Sequence, residues 1–287
     1  MELGIRPVHD LFGVEVTNLD LRDLDDATFE AVRQAIHKNG FGLLRRQSLD
    51  ADAIVRLARR LGDPIPGYRP EFTHPDYPEL VRLGNVRENG EVVTYLNTQG
   101  VEWHSDGTGA ILPPNVTILY AVEAPTQGGD TLFSTATAAY QSLSADWKER
   151  LDGLKVVNSF DHHNDRVATF DGTNVIPRDD KLRKRNLDKV EPLVDIHPET
   201  GEPHLFVTHQ MVKEVVGMDN DAGMKLVMDL VDHATQPQFV YRHHWLPGDL
   251  IIFDNRATMH SATPYDYPDE RRLMYQIIIG THSHQSP

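Results

Sequence analysis

Apolar and polar positions along the chain alternate in short runs more often than they recur at helical spacing. The run I-R-P-V-H-D-L-F-G-V-E-V predicts two short strands joined at Gly13. Phe29, Val32 and Ile36 then form one apolar stripe, which predicts a helix over residues 24–38, capped by Asp25 or Asp26 and stopped at Gly40. Phe41-Gly-Leu-Leu-Arg reads as a strand, and Ser48 is the expected cap of a second helix over 51–61. Residues 63–79 carry Pro and aromatics without a period and read as loop, with Tyr68, Phe72, His74 and Tyr77 available to line a pocket. Strands are expected over 80–86 and 92–96, and again at V-T-I-L-Y-A-V, whose apolar run predicts burial on both faces.

Helices follow over 136–143, over 145–151 behind a Ser144 cap, and over 222–233 behind Asp219. A hairpin turns about Glu199-Thr-Gly201, and strands are expected over 239–245, 250–253 and 271–280. Many short strands with turn signals, no repeat and no linker predict a mainly β fold with flanking helices, closed or sandwiched, as a single domain over 1–287. Residues 158–192 break the pattern. They are polar, charged and poor in β-branched residues, and read either as a solvated insertion or as a lid whose basic cluster K-L-R-K-R, at 181–185, meets an anionic substrate.

Composition narrows the chemistry. The absence of Cys excludes disulfides, thiolate metal sites and cysteine nucleophiles, so any metal must be held by N and O donors. A net charge of −15 argues against a nucleic-acid partner. No apolar run approaches 18 residues, and the N-terminus lacks a basic segment followed by an apolar one. A soluble cytoplasmic protein without a membrane partner is the expectation.

The stretch V-E-W-H-S-D-G-T at 101–108 places His104 and Asp106 two positions apart, on one face if the chain is extended there. Such a pair is weak by itself, since His74/Asp76 and His163/Asp165 share the spacing. The first of these is split by Pro75, and the second lies in a polar stretch read as loop. A third ligand is available in His260, within D-N-R-A-T-M-H, and two His with one Asp form the facial triad of non-heme Fe(II) oxygenases. Arg272, on the inward side of the last strand, needs an anion, and a dicarboxylate would supply one.

With W-H-S-D at 103–106, G-G-D-T at 128–131, A-A-Y at 138–140, H-A-T-Q at 233–236, W-x-x-G-D at 245–249, D-N-R-x-x-x-H at 254–260 and R-R-x-M at 271–274, the chain resembles the taurine dioxygenase-like Fe(II)/2-oxoglutarate dioxygenases, especially their aryloxyalkanoate-degrading branch. The resemblance implies a double-stranded β-helix of the jelly-roll, cupin-like kind. It implies Fe(II) held by His104, Asp106 and His260, with 2-oxoglutarate and O₂ as co-substrates. It also implies that Arg272 and Thr131 hold the distal carboxylate of 2-oxoglutarate, and that a small molecule is hydroxylated with release of succinate and CO₂. Arg271 remains the alternative clamp, though alternation with Met274 favours Arg272. Taurine-oxidising members carry a second Arg four residues beyond the first, where this chain has Gln276. Gln276, His209 and Asn97 are the expected substrate-side residues, and a homo-oligomer, dimer or tetramer, is the expected assembly. The competing reading is a non-catalytic metal-binding β-barrel that senses a ligand or organises an assembly.

Overall fold

The strand Pro114–Glu123 lies at the centre of the fold, paired antiparallel with Leu250–Asp254 on one side and Leu273–Gly280 on the other. The structure is a computed structural model that describes residues 3–95, 101–108, 114–170, 180, 184, 186–266 and 269–281. Among the described residues the main sheet has nine strands. It continues outward from Leu250–Asp254 through Phe41–Leu44, Val14–Thr17 and Gly4–Pro7, and from Leu273–Gly280 through Tyr77–Gly84 and Thr73–His74. A smaller sheet runs in the order Val240–His243, Thr131–Thr135, Thr258–Ala262, Val101–His104.

The apolar run at 114–123 alternates between two cores, which is why it shows no amphipathic period. Val116, Ile118 and Tyr120 point outward with Ile252, Ile277 and Ile279 and pack against the two N-terminal helices through Val32, Ile36, Ile54 and Ala58. Leu119 and Ala121 point inward with Ile251, Phe253 and Met274, meeting Phe133 and Trp245 from the smaller sheet's side. The outer face of the smaller sheet is covered by the helix Asn220–Ala234 and its neighbours, through Leu226, Leu230, Ala139 and Met259. Two mainly antiparallel sheets packed face to face, with helices outside and one parallel pair between Val14–Thr17 and Phe41–Leu44, form the expected double-stranded jelly roll.

Several boundaries differ from expectation. Asp25 caps the first helix, but Asp50 and not Ser48 caps the second, its carboxylate accepting from Ala53 N. The strand predicted over 80–86 begins earlier, at Tyr77. Residues Phe160–Phe170, read as loop, form a helix. Its buried positions include the polar Asn164, between Phe160 and Val167, so its apolar stripe is interrupted and easily missed. The strands Lys155–Asn158 and Lys189–Pro192 flank this segment and pair with each other. Of the basic cluster only Lys184 is described, and it is exposed. The last strand starts at Leu273, so Arg272 precedes it.

Candidate metal centre and anion site

His260 and His104 are register partners on adjacent antiparallel strands, with ring centroids 4.1 Å apart. The strand carrying His104 ends there, so Asp106 does not reach the pair by strand alternation. It sits in a turn in which Gly107 has φ 73° and the Ser105 hydroxyl donates to Thr258 O. His104 Nε2 lies 3.6 Å from Asp106 Oδ1, and His260 Nε2 lies 3.9 Å from Asp106 Oδ2. One donor atom from each of the three residues falls within 4.8 Å of the others.

Protonation suits ligation. His104 Nδ1 faces Glu102 O at 2.8 Å and donates its proton there, which turns Nε2 toward Asp106; burial lowers the pKa of this ring, but the Asp106 carboxylate outweighs it and pushes it up. His260 is packed between Phe133 and Phe253, and burial together with the neighbouring His104 pushes its pKa down to about 3, so the ring is neutral at neutral pH. Burial disfavours the charged form of Asp106. The imidazoles of His260 and His104 and the Thr117 hydroxyl outweigh it and hold the carboxylate down at about 2. Two imidazoles and one carboxylate this close together are a donor set that fits Fe(II) with coordination positions left over.

Asn255 and Thr117, neither of them among the expected site residues, hold Asp106. Its backbone N–H donates to Asn255 Oδ1 at 3.1 Å, Asn255 Nδ2 donates to Thr117 Oγ1 at 2.9 Å, and Thr117 Oγ1 donates to Asp106 Oδ2 at 3.0 Å. Gln276 Nε2 also donates to Asp106 Oδ2 at 3.0 Å, so the inward-facing Gln276 contacts the carboxylate of the His-Asp-His group and not open substrate space. The signal available in the sequence was Thr117, a hydroxyl inside an otherwise apolar buried strand.

Arg272 and Arg271 part company. Arg271 is exposed and forms a two-pronged pair with Glu123, at 2.6 and 2.9 Å. Arg272 is 7% exposed, and among the described residues no acid pairs with its guanidinium and Nε has no hydrogen-bond partner. Burial pushes its pKa down to about 10. The Gly128–Gly129 turn lies against it, since a Cβ at Gly129, where φ is 64°, would stand 3.4 Å from Arg272 Cδ and Nε. Thr131 follows that turn, buried, with its hydroxyl accepting the Trp245 indole N–H at 2.9 Å. Its own proton is therefore free to donate to an anion.

Of the substrate-side residues, His209 is buried with Nε2 3.4 Å from Glu102 Oε2, and Arg166 of the helix Phe160–Phe170 meets the same oxygen at 2.9 Å. Asn97 lies outside the described residues. A second His–Asp–His group, His37, His197 and Asp254, is also compact and buried. Arg256 occupies it, donating to both Asp254 oxygens at 3.0 and 2.8 Å. His197 Nδ1 accepts from the backbone N–H of Glu199 and Thr200, so the proton sits on Nε2 and points at Asp254. This group is a charge-balanced structural network that anchors the turn bearing Asn255.

Comparison with known proteins agrees with this geometry. The family model described as "Taurine catabolism dioxygenase TauD, TfdA family" matches residues 4–277. The chain is 29% identical over 290 residues to an (S)-phenoxypropionate/alpha-ketoglutarate-dioxygenase of Sphingobium herbicidovorans, covering 96% of this chain and 94% of that one. It is 30% identical over 285 residues to an alpha-ketoglutarate-dependent 2,4-dichlorophenoxyacetate dioxygenase of Cupriavidus pinatubonensis, covering 95% and 96%. A taurine dioxygenase structure from Burkholderia xenovorans superposes with a TM-score of 0.78 at 28% identity, covering 97% of this chain and 89% of that one. A match across nearly the whole chain, joined to a compact His-Asp-His group, makes this protein a member of the TauD/TfdA family of α-ketoglutarate-dependent dioxygenases.

Proposed function

We propose that the protein hydroxylates an unactivated C–H bond of a small molecule at an Fe(II) ion held by His104, Asp106 and His260. In this reading Arg272 and Thr131 receive the distal carboxylate of 2-oxoglutarate. Bound Fe(II) supplies O₂ activation, coupled to decarboxylation of 2-oxoglutarate to succinate and CO₂. The chain's own residues do the rest. His104 and His260 offer Nε2 and Asp106 offers a carboxylate oxygen from three positions fixed by strand pairing and buried hydrogen bonds. Arg272 supplies a buried charge whose desolvation is offset when an anion arrives. Phe133 and Phe253 wall the His260 side with apolar surface and keep water from it.

The observation that carries this reading over a non-catalytic barrel is Arg272. A buried guanidinium with no described acid partner, beside a Gly-Gly turn, serves no structural metal site but suits a dicarboxylate co-substrate. The reading extends to one catalytic domain, with residues 158–192 as a lid, working as a homo-oligomer in the cytoplasm. The substrate belongs with the small organic acids and esters on which the relatives act. A panel of such compounds, incubated with Fe(II) and 2-oxoglutarate and read by mass spectrometry for substrate-stimulated succinate, tests it. Succinate formation that no compound stimulates, alongside unimpaired Fe(II) binding, would favour the sensor instead.

A further inference from the structure

We infer that Thr117, Asn255 and Gln276 are positioning residues that hold the Asp106 carboxylate in place, with Oδ2 engaged and Oδ1 turned to the metal. This rests on the proposed metal site, and the argument is one of hydrogen-bond capacity. Thr117 has one proton and Asn255 Nδ2 already donates to its oxygen, so that proton goes to Asp106 Oδ2. The amide of Asn255 is oriented by the Asp106 N–H, which demands an oxygen at 3.1 Å. These three residues close a ring in which every donor direction is determined. Gln276 Nε2 adds a second donor to Oδ2, from the strand on the opposite side of Thr117's own.

A carboxylate oxygen that accepts two donors has little basicity left for a cation. Oδ1, 3.6 Å from His104 Nε2, is the oxygen left to bind. One-oxygen ligation keeps free the coordination positions that a chelating keto acid and O₂ need. A carboxylate swung into two-oxygen binding would take one of them. The ring is buried, with Thr117 0%, Asn255 1% and Asp106 8% exposed, so no bulk water substitutes for a lost donor. Asn255 is in turn anchored on both sides, since Asp254 and Arg256 belong to the buried network with His37 and His197. In this arrangement Gln276, at the position where taurine-oxidising members carry Arg, acts on the metal ligand rather than as a substrate anchor.

The test is Mn(II) affinity of the metal-free full-length protein, measured by titration calorimetry without 2-oxoglutarate or substrate. Thr117→Val and Gln276→Leu remove the donors at nearly constant volume, and Thr117→Ser keeps one. Each of the first two should raise the Mn(II) Kd roughly tenfold, a usual cost of losing a hydrogen bond to a metal ligand, while Thr117→Ser stays within threefold of wild type. Thermal unfolding of each metal-free variant reports folding separately, and Gln276→Leu decides the question alone if Thr117→Val does not fold. A Kd within threefold of wild type for the folded donor-deleted variants overturns the inference. His260→Ala separates the two levels. If it too leaves Mn(II) binding unchanged, the metal site itself is misplaced, whereas loss of binding in His260→Ala alone removes only the positioning role.

Discussion

Trp245 donates its indole N–H to the hydroxyl of Thr131 at 2.9 Å, and both side chains are buried. The contact dictates which way the Thr131 proton points. Trp245→Phe keeps the ring and removes the donor, so Thr131 can turn its proton elsewhere. A buried neutral hydrogen bond is worth about 1 kcal/mol, so the 2-oxoglutarate KM should rise roughly three- to tenfold. The primary substrate KM should move little. Thr131→Val should have a similar effect, and the double variant should show less than the product of the two. Steady-state kinetics on the four proteins checks this. Fully multiplicative effects would mean that Trp245 does not act through Thr131.

Burial separates Arg272 from Arg271, and their deletion should separate them too. Arg272→Met should raise the 2-oxoglutarate KM by at least about thirtyfold, since removing one member of a buried charged contact costs roughly 2–5 kcal/mol. Arg271→Ala, on the surface against Glu123, should change it less than twofold. Thermal shift gives an independent readout. The Arg272 pKa is pushed down to about 10 by burial, so its charge destabilises the ligand-free protein at neutral pH. Arg272→Met should therefore melt no lower than wild type without ligand, and 2-oxoglutarate should stabilise wild type alone. The reverse order of effects on KM would identify Arg271 as the clamp.

His204 gives the fold a defined acid sensitivity. It is 1% exposed, and neither ring nitrogen has a hydrogen-bond partner among the described residues. Burial, with His197 nearby, pushes its pKa down to about 4. Between that value and about 6.5, the ordinary one, the unfolded chain binds the proton and the folded chain does not. Stability therefore falls as pH drops through this window, by about 3 kcal/mol in all, and is fully present above it. Chemical denaturation of His204→Leu at pH 8 and pH 5 should show a smaller loss than wild type. Equal losses would place the acid sensitivity elsewhere.

Taurine should be a poor substrate. Gln276 carries no net charge, and its amide nitrogen is engaged with Asp106, so this position presents no cation to a sulfonate. Gln276→Arg should improve binding of small sulfonates or carboxylates. Steady-state assays of both proteins on taurine decide the point, and efficient wild-type turnover would sink it.

The sequence by itself was enough for the class of fold and for the chemistry of the centre. Alternating runs and turn residues report the environment of each strand directly, and His104, Asp106 and His260 are side chains whose chemistry is restricted wherever they stand. Helix starts were legible at Asp25, Ser144 and Asp219, because a cap is a local hydrogen bond. The helix Phe160–Phe170 was not, because polar residues, the buried Asn164 among them, interrupt its apolar stripe. What only the tertiary structure decided depends on residues far apart in sequence. His260 meets His104 through strand register. Asp106 is aimed by Asn255, Thr117 and Gln276, from 149, 11 and 170 residues away. The choice between Arg271 and Arg272 turns on which one the neighbouring strands leave in water. Local pattern carries no information about such contacts, since their energies arise only when separate strands close around one buried carboxylate.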